Sequence, residues 1–578
     1  MISYNYPNIK PKLPWSLTDM SKQSHCDAAA RSIQSIQAND ALVPLYSPKQ
    51  VYGIEKAWFD AGNDSYALMQ QAAWQIAHWI YRTYSKAGDK LKVGVWVGRG
   101  NNGGDGWLVA DYLKQLGAQV AVIEVGPEVS TADALLAKQQ ATATLNNNKQ
   151  VIEQTFTGHL ANQTSFAKVC EKSEYLSANV YVDALFGIGL DRAPQSAYAD
   201  AIRYINAAKQ HNHRLQVVSV DVPSGVVSST GEVFDEQAVR ADITLCLVAR
   251  KVGLHLKDAM DYTGKLVDLP LIPTVLGKLP QAWLQHHAQP LPARDHNTHK
   301  GSFGHVLIAG GNQVDGSQGM GGAAILSAST AFATGVGKLT VACHNAFHGS
   351  LIGAVPNAMS LDLHDASSVE SLIAQCDTLA IGMGFGRDES SFTLFERYLR
   401  TALQQSIALI IDADGLYHLA SLAKQAPEII DQLIAHAKTH EVWYTPHSGE
   451  AGRLLDISAD EIEKDRLAAI TQLANKYNGS WLLKGAGSLV LHKGEIRVCA
   501  AGNAGMATAG MGDVLSGLAA GLLAQSVLPK SSRTLIQAVM IHAMAGDVLE
   551  RKKGVWALQA SDMPPVVGQI MQQLTQAQ

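Results

Sequence analysis

Asn101, Asn102 and Asp105 stand inside a glycine-dense stretch, GRGNNGGDG at 98–106. Amide and carboxylate side chains in such a turn offer hard oxygen ligands and orienting hydrogen bonds, beside backbone N–H groups that can approach an anion. VDALFGIGLDR at 182–192 adds Asp183 and a glycine-bracketed loop, and SVDVPSGV at 219–226 adds Asp221 and Ser224. Together Asn102, Asp183 and Ser224 supply neutral and anionic oxygens suited to a hard, weakly held cation. Asp221 is left over as an acid/base group. A second constellation lies far down the chain, in NAGMATAGMGDVLSG at 503–517. N–H groups at 510–512, opening a helix, can stabilise charge on a migrating phosphoryl group, and Asp513 in the first turn can take a proton from an attacking hydroxyl. KGAGS at 484–488 offers another phosphate-proximal turn.

Each signal has a plainer alternative. Gly98, Gly100 and Gly103 satisfy G-x-G-x-x-G literally, with Glu124 at about the 20-residue spacing of a ribose-binding acid. That reading gives a dehydrogenase, but a carboxylate inside the loop repels phosphate. Helix-capping Asn and Asp, an ordinary Asp-x-Pro-Ser-Gly turn and a helix start at Asp513 are the structural alternatives. GVGKLT at 335–340 is rejected as a P-loop, because Phe332 occupies the first glycine position and a strand follows.

These turns follow short apolar runs. KVGVWVG (92–98), QVAVIEVG (119–126), VYVDALFG (180–187), LQVVSVDVPSG (215–225), DITLCLVA (242–249) and KLVDL (265–269) read as buried strands. Helical stretches separate them, YSPKQVYGIEKAWFDAG and ALMQQAAWQIAHWIYRTY precede them, and the whole reads as a doubly wound α/β sandwich. The Pro-punctuated stretch from 270 to 297 reads as a linker with one helical turn. Strands resume with HVLIAGG, KLTVAC, TLAIGMGFG, ALIIDADG, VWYTPHSGE and WLLKGAG, then a strand pair turning at Lys493-Gly494, then helices from Gly512 onward. The expected division is an arm at 1–40, an α/β domain at 41–270, a linker at 271–290 and a second α/β domain at 291–578.

The 578 residues are 47% hydrophobic and 17% charged, with a net charge of −5. Such a chain has apolar content for two cores and no basic footprint for nucleic acid or an anionic membrane. The six cysteines form no C-x-x-C pair and read as reduced thiols. No apolar run reaches a membrane span and the N-terminus lacks a signal-peptide core, so a cytoplasmic protein is expected. A homo-oligomer is compatible with this reading.

VGRGNNGGDGWLVA, VDALFGIGL and SVDVPSGV, in this order and preceded by LYSPKQVYGIEKA, resemble the NAD(P)H-hydrate epimerase domain. The resemblance implies a Rossmann-like fold in which Asn101, Asn102, Gly103, Gly104 and Asp105, with Gly187, Ile188, Gly189, Leu190, Asp191 and Arg192, hold a hydrated dinucleotide. It also implies a potassium ion at Asn102, Asp183 and Ser224, with Asp221 at the substrate. Lys251, in ARKVGLHL, is a secondary candidate, with an exposed strand-end lysine as its alternative.

HKGSFGHVLIAGG, GMGGAAILSASTAFATGVGKLTV, IGMGFG, TPHSGEAGRLL, KGAGS and the Gly-Met-Gly-Asp loop resemble the ADP-dependent NAD(P)H-hydrate dehydratase domain, which is ribokinase-like. By position this implies Lys484, Gly485, Ala486, Gly487, Ser488 and Gly512 at ADP, with magnesium. Ala323, Gly384, His447 and Asp513 would face the hydrated nicotinamide nucleotide, His447 having a helix-capping alternative. The two resemblances imply an enzyme that interconverts the epimers of NADHX and NADPHX, through an iminium or a ring-opened species, and dehydrates the S form with ADP. The rivals are a dinucleotide-binding domain fused to a sugar or vitamin kinase, and a non-catalytic dinucleotide sensor.

Overall fold

Val- and Ile-rich runs become strands, of which Lys92–Val97, Val180–Ala184 and Gln216–Val220 are buried along nearly their whole length. Lys92–Val97, Gln119–Val125, Val151–Phe156, Val180–Ala184, Gln216–Val220, Ile243–Leu247 and Lys265–Leu269 form a seven-stranded sheet in which every neighbouring pair is parallel. The computed structural model describes residues 42–86, 89–126, 129–145, 151–156, 178–273, 279–314 and 318–576. The expected arm at 1–40, with Cys26, and Cys170 lie outside the described residues. Cys246, Cys343, Cys376 and Cys499 are free and buried, as reduced thiols would be.

Lys92–Val97 is an inner strand of this sheet, flanked by Gln119–Val125 on one side and Val180–Ala184 on the other. The order therefore reverses beside it, which opens a crevice at the carboxyl ends of Lys92–Val97 and Val180–Ala184. Alternation along this strand sorts the two cores. Val93, Val95 and Val97 pack with helices Ser65–Tyr84 and Asn101–Gln115, whereas Trp96 packs with Ile202 and Ile205 of helix Ala197–His211.

The second sheet has eleven strands. Met359–Asp362, Lys338–Cys343, His305–Ala309, Thr378–Ile381, Ala408–Ile411, Val442–Tyr444 and Ser480–Leu483 run parallel in that spatial order. Leu489–His492 and Glu495–Cys499 follow antiparallel, turning through Lys493 and Gly494, both at positive φ as a tight hairpin requires. This sheet also reverses beside its first long strand, His305–Ala309. Helices Gly321–Ala333 and Met511–Ala524 pack closely over it: a Cβ at Gly517 would collide with the Ser327 carbonyl.

The Pro-punctuated stretch departs from expectation. Instead of a helical turn it contains a strand, Ala282–Gln285, which pairs in parallel with Arg497, Val498 and Cys499. Pro280 and Pro290 stand outside the strand, where their missing N–H groups cost no ladder bond. Gln281 N donates to Leu45 O at 2.9 Å, so the short strand Leu42–Leu45 adds to the edge of this sheet.

The described residues from Pro44 onward form one compact unit. Within it the 3-10 segments that follow Ile243–Leu247 touch the second half: Lys257 N donates to Ala486 O at 3.2 Å. Gly487, at φ +66°, lies so close to the His255 carbonyl that a Cβ would collide with it.

Candidate active sites

The crevice of the first sheet holds a cavity of about 610 Å³. Its geometry depends on glycines that let backbone meet backbone. Gly98 N donates to Ala184 O at 3.0 Å, and no Cβ fits between Gly98 and the Leu185 carbonyl. The Asn-Asn-Gly-Gly-Asp stretch, expected as a turn, is the first turn and a half of helix Asn101–Gln115, whose N-cap is Gly100. The helix can start this early because Gly103 and Gly106 sit where Cβ atoms would strike the Gly98 carbonyl and Val97. Asn101, Asn102, Asp105, Gly187, Ile188, Gly189, Leu190, Asp191, Arg192, Asp221 and Lys251 all line the cavity. Gly103 and Gly104 are buried in helix packing instead, Gly104 against Met69 and Ala134. Glu124, the acid of the literal dinucleotide fingerprint, is not in the lining, and its carboxylate is bonded to Lys138 at 2.7 Å.

Beneath the cavity, the buried Asp183 carboxylate accepts four hydrogen bonds: from Ser224 Oγ (2.6 Å), Ser219 Oγ (2.7 Å), Ser224 N (2.9 Å) and Leu185 N (3.3 Å). Phe186 links this group to the helix start, since its carbonyl accepts from Asn102 Nδ2 at 2.8 Å and its N–H donates to Ser224 Oγ at 2.9 Å. Burial still raises the Asp183 pKa, against the pull of these donors. A buried carboxylate with no cationic side chain bonded to it, in a setting of amide, hydroxyl and carbonyl oxygens, fits a hard monovalent cation.

Asp221 has a left-handed backbone, φ +67°, which Asp tolerates better than most residues. Its Oδ1 accepts from Leu247 N at 2.9 Å and from Lys251 Nζ. Lys251 is fully buried and also donates to Leu247 O at 2.8 Å, so the exposed strand-end reading of Lys251 is wrong. Three other groups share this field. Burial, then Asp221 and Glu55, push the Asp105 carboxyl well above the usual carboxylate range. Burial and Asp221 push Glu55 up to about 7, Lys251 opposing. Tyr52 is raised by burial, Glu55 and Asp221. Sequence reasoning passed over Glu55. The signal was present: Val51, Ile54, Glu55 and Trp58 make the i, i+3, i+4, i+7 stripe of helix Pro48–Asp60, so a carboxylate falls on the packing side.

In the second half, Asp513 lies in the first turn of Met511–Ala524, whose N-cap Gly510 is left-handed (φ +88°). Burial raises the Asp513 pKa to about 7, with Asp412 and Asp414 adding to the rise and Lys484 opposing it. Asp412, at the end of Ala408–Ile411, was not singled out from the sequence. Burial favours its neutral form, but Lys484 (2.9 Å to Oδ1) and Ser516 Oγ (2.6 Å to Oδ2) hold its pKa below the usual value. Lys484 is drawn down by burial and more than restored by Asp412 and Glu450. Gly512 lies beside both: a Cβ there would be 3.4 Å from Lys484 Nζ and 3.7 Å from Asp412 Oδ2.

The loop 484–488 joins two antiparallel strands, closed by Ser488 Oγ to Gly485 O at 3.0 Å. Buried Arg466 holds it from behind through Ala486 O (2.6 Å) and Leu483 O (3.1 Å). Gly485 and Ala486 are exposed, whereas Gly487 is buried against His255. Gly384, at φ +58°, and Ala323 meet at the reversal point of this sheet. His447 is the N-cap of helix Ser448–Leu455: its Nδ1 accepts from Gly449 N at 3.0 Å, and its side chain is 59% exposed. The capping alternative for His447 therefore holds as a structural fact.

The NAD(P)H-hydrate dehydratase family matches residues 313–565, and the family described as YjeF-related protein N-terminus matches 65–253. The chain is 33% identical to the bifunctional NAD(P)H-hydrate repair enzyme Nnr of Coxiella burnetii over 91% of this chain and 98% of that one. The Vibrio cholerae enzyme of the same name is 33% identical over 92% and 100%. The chain belongs to the bifunctional NAD(P)H-hydrate repair enzyme family. The Escherichia coli member is 31% identical over 87% of each chain. Among solved structures, a ribokinase-like superfamily protein from Enterococcus faecalis is 25% identical, with a TM-score of 0.43, covering 51% of this chain and 97% of that one. An ADP/ATP-dependent NAD(P)H-hydrate dehydratase from Bacillus subtilis, co-crystallized with ATP and Mg2+, is 23% identical, with a TM-score of 0.40, covering 49% and 95%. No helix among the described residues is long and apolar enough to cross a membrane. Both glycine-dense regions fall within the two family matches.

Proposed function

We propose that the first half interconverts the R and S epimers of NADHX and NADPHX, and that the second half dehydrates the S epimer with ADP, releasing AMP and phosphate. The observation that carries this reading is the pairing, on one chain, of two acid-bearing sites at the reversal points of two largely parallel sheets.

In the first site the C6 hydroxyl of the hydrate sits next to the ring nitrogen, so C6 is hemiaminal-like and its configuration can be lost. Asp221, ion-paired with Lys251, is the proton acceptor for that hydroxyl. The N–H groups opening Asn101–Gln115 and the loop 187–192 bind the pyrophosphate and ribose. Asn102, Asp183 and Ser224 would hold potassium, which supplies positive charge that fixes the helix start against the loop. A dinucleotide of this size suits a cavity of about 610 Å³.

In the second site Asp513 takes the proton of the C6 hydroxyl, and the oxygen attacks the terminal phosphorus of ADP. Lys484 and the N–H groups at 510–512 stabilise the charge on the migrating phosphoryl group. Magnesium, accompanying the nucleotide, would neutralise its phosphates. Phosphate is then a good leaving group: the C6–O bond breaks with help from the ring nitrogen, and loss of the C5 proton restores the reduced ring. Ala323, Gly384 and His447 would border the nicotinamide, and the loop 484–488 with Gly512 the adenine nucleotide.

Incubating the full chain with both epimers and ADP, then ATP, while following each epimer separately, tests the whole reading. The expected result is loss of both epimers with recovery of reduced-cofactor absorbance. Asp513→Ala should stop recovery while epimer exchange continues, and Asp221→Ala should do the reverse. Recovery that survives Asp513→Ala refutes the assignment of the second site.

A further inference from the structure

Glu55 approaches the first cavity from helix Pro48–Asp60, outside every glycine-rich loop, and lines it together with Asp221 and Lys251. We propose that Glu55 is a second catalytic residue of epimerisation, the acid that protonates the ring nitrogen while Asp221 accepts the hydroxyl proton. This rests on the epimerase reading of the cavity.

The two carboxyl groups have different surroundings. Asp221 accepts hydrogen bonds from the buried Lys251 side chain and from the Leu247 amide, which orients its carboxylate as an acceptor. Among the described residues no cationic side chain is bonded to Glu55. Burial and the Asp221 charge keep it protonated up to about pH 7, although Lys251 pulls the other way. Tyr52 on its own helix and Asp105 on Asn101–Gln115 share this field, and Arg99, Asp191, Arg192 and Tyr198 line the same cavity. Burial, Asp221 and Glu55 push the Asp105 carboxyl well above the usual carboxylate range, whereas Glu55 is poised near neutrality, where a proton can be both given and regained. Two groups of like type in unlike surroundings are what an acid/base pair requires.

The reaction needs one of each. The C6 hydroxyl proton passes to Asp221 as the C6–O bond becomes a carbonyl. The C6–N1 bond breaks, its electron pair goes to N1, and N1 takes a proton from Glu55. Rotation about C5–C6 presents the other face of the aldehyde. In closure N1 attacks C6 and returns its proton to Glu55, while the oxygen recovers one from Asp221. No oxidant, reductant or water is consumed, and the donors end as they began.

The test uses the full chain with an R-enriched NADHX preparation and no ADP, following the epimer ratio as pH is varied across 7. Wild type should lose epimerisation rate as pH rises through about 7, because the acid proton of Glu55 is lost. Glu55→Gln should cut the rate by about 10² to 10⁴ and abolish that alkaline limb. Glu55→Asp should retain the limb with a partial rate. Affinity for the hydrate and ADP-driven dehydration of the S epimer report folding, and both should stay at wild-type levels in Glu55→Gln. A Glu55→Gln chain with wild-type rate and limb overturns the proposal, as does one whose rate falls only with its affinity while the limb persists. A wild-type chain that leaves the ratio at its uncatalysed drift overturns the epimerase reading itself, and this assignment with it.

Discussion

Lys484 Nζ lies 2.9 Å from Asp412 Oδ1 although the two residues are 72 positions apart, and Asp513 stands in the field of both. Asp412 binds the lysine that would meet the phosphates and, by its own charge, raises the Asp513 pKa. Asp412 thus holds the lysine in place and raises the pKa of a neighbouring carboxyl group at the same time.

The pH response of dehydration follows. A base must be deprotonated to act, so ADP-driven recovery of reduced cofactor should rise as pH climbs through about 7, the value to which Asp513 is pushed. Asp412→Asn removes a negative neighbour, so the limb should move to lower pH. The rate should also fall on the order of tenfold or more, because Lys484 loses its anchor. A pH profile at saturating ADP checks both effects.

Lys251→Met should separate charge from shape in the first site. The buried Asp221–Lys251 pair loses one member, which costs about 3–5 kcal/mol when the remaining charge stays buried. Thermal unfolding should show this loss, and epimer exchange should fall about 10-fold or more. Recovery of the S epimer with ADP should be maintained below the unfolding temperature.

The oxygen cluster predicts a cation dependence. Ser224→Ala removes the hydroxyl that donates to Asp183 and accepts from Phe186 N. Leaving such buried groups unpaired costs about 1–3 kcal/mol each. Epimerisation should be faster in potassium than in a bulky organic cation for wild type, and this difference should vanish in Ser224→Ala. An unchanged response to potassium would remove the cation from Asn102, Asp183 and Ser224.

Gly487→Ala should act on nucleotide use. The residue is at φ +66° with the His255 carbonyl against it, so a methyl forces the loop 484–488 to shift. Strain of this kind costs about 1–3 kcal/mol. The expected outcome is a several-fold rise in the ADP concentration needed for half-maximal dehydration, measured beside an unaltered epimerisation rate.

Much of this could be read from residue order. His305–Ala309 and Ala408–Ile411 coincide with apolar runs of the sequence, because buried parallel strands leave little room for a polar residue inside. Asp221, Asp513 and the Asn101–Asp105 segment stood out because glycine density marks close backbone approach. Glu55 and Asp412 did not: one is an ordinary glutamate on an amphipathic helix, and the other pairs with a lysine that no local spacing connects to it. Ala282–Gln285 was hidden by its flanking prolines, which bracket the strand without entering it. His447 shows the reverse, a residue singled out by its motif whose visible task is to cap a helix.

Gly487 is shaped by the other half of the protein, since the His255 carbonyl occupies the space where a side chain would be and Lys257 N bonds the neighbouring Ala486. Severing the gene between the two activities would leave that hairpin tip without its backstop. A chimera that joins the first half of one relative to the second half of another must match at this seam, so the fusion sets a steric condition that a flexible tether would not.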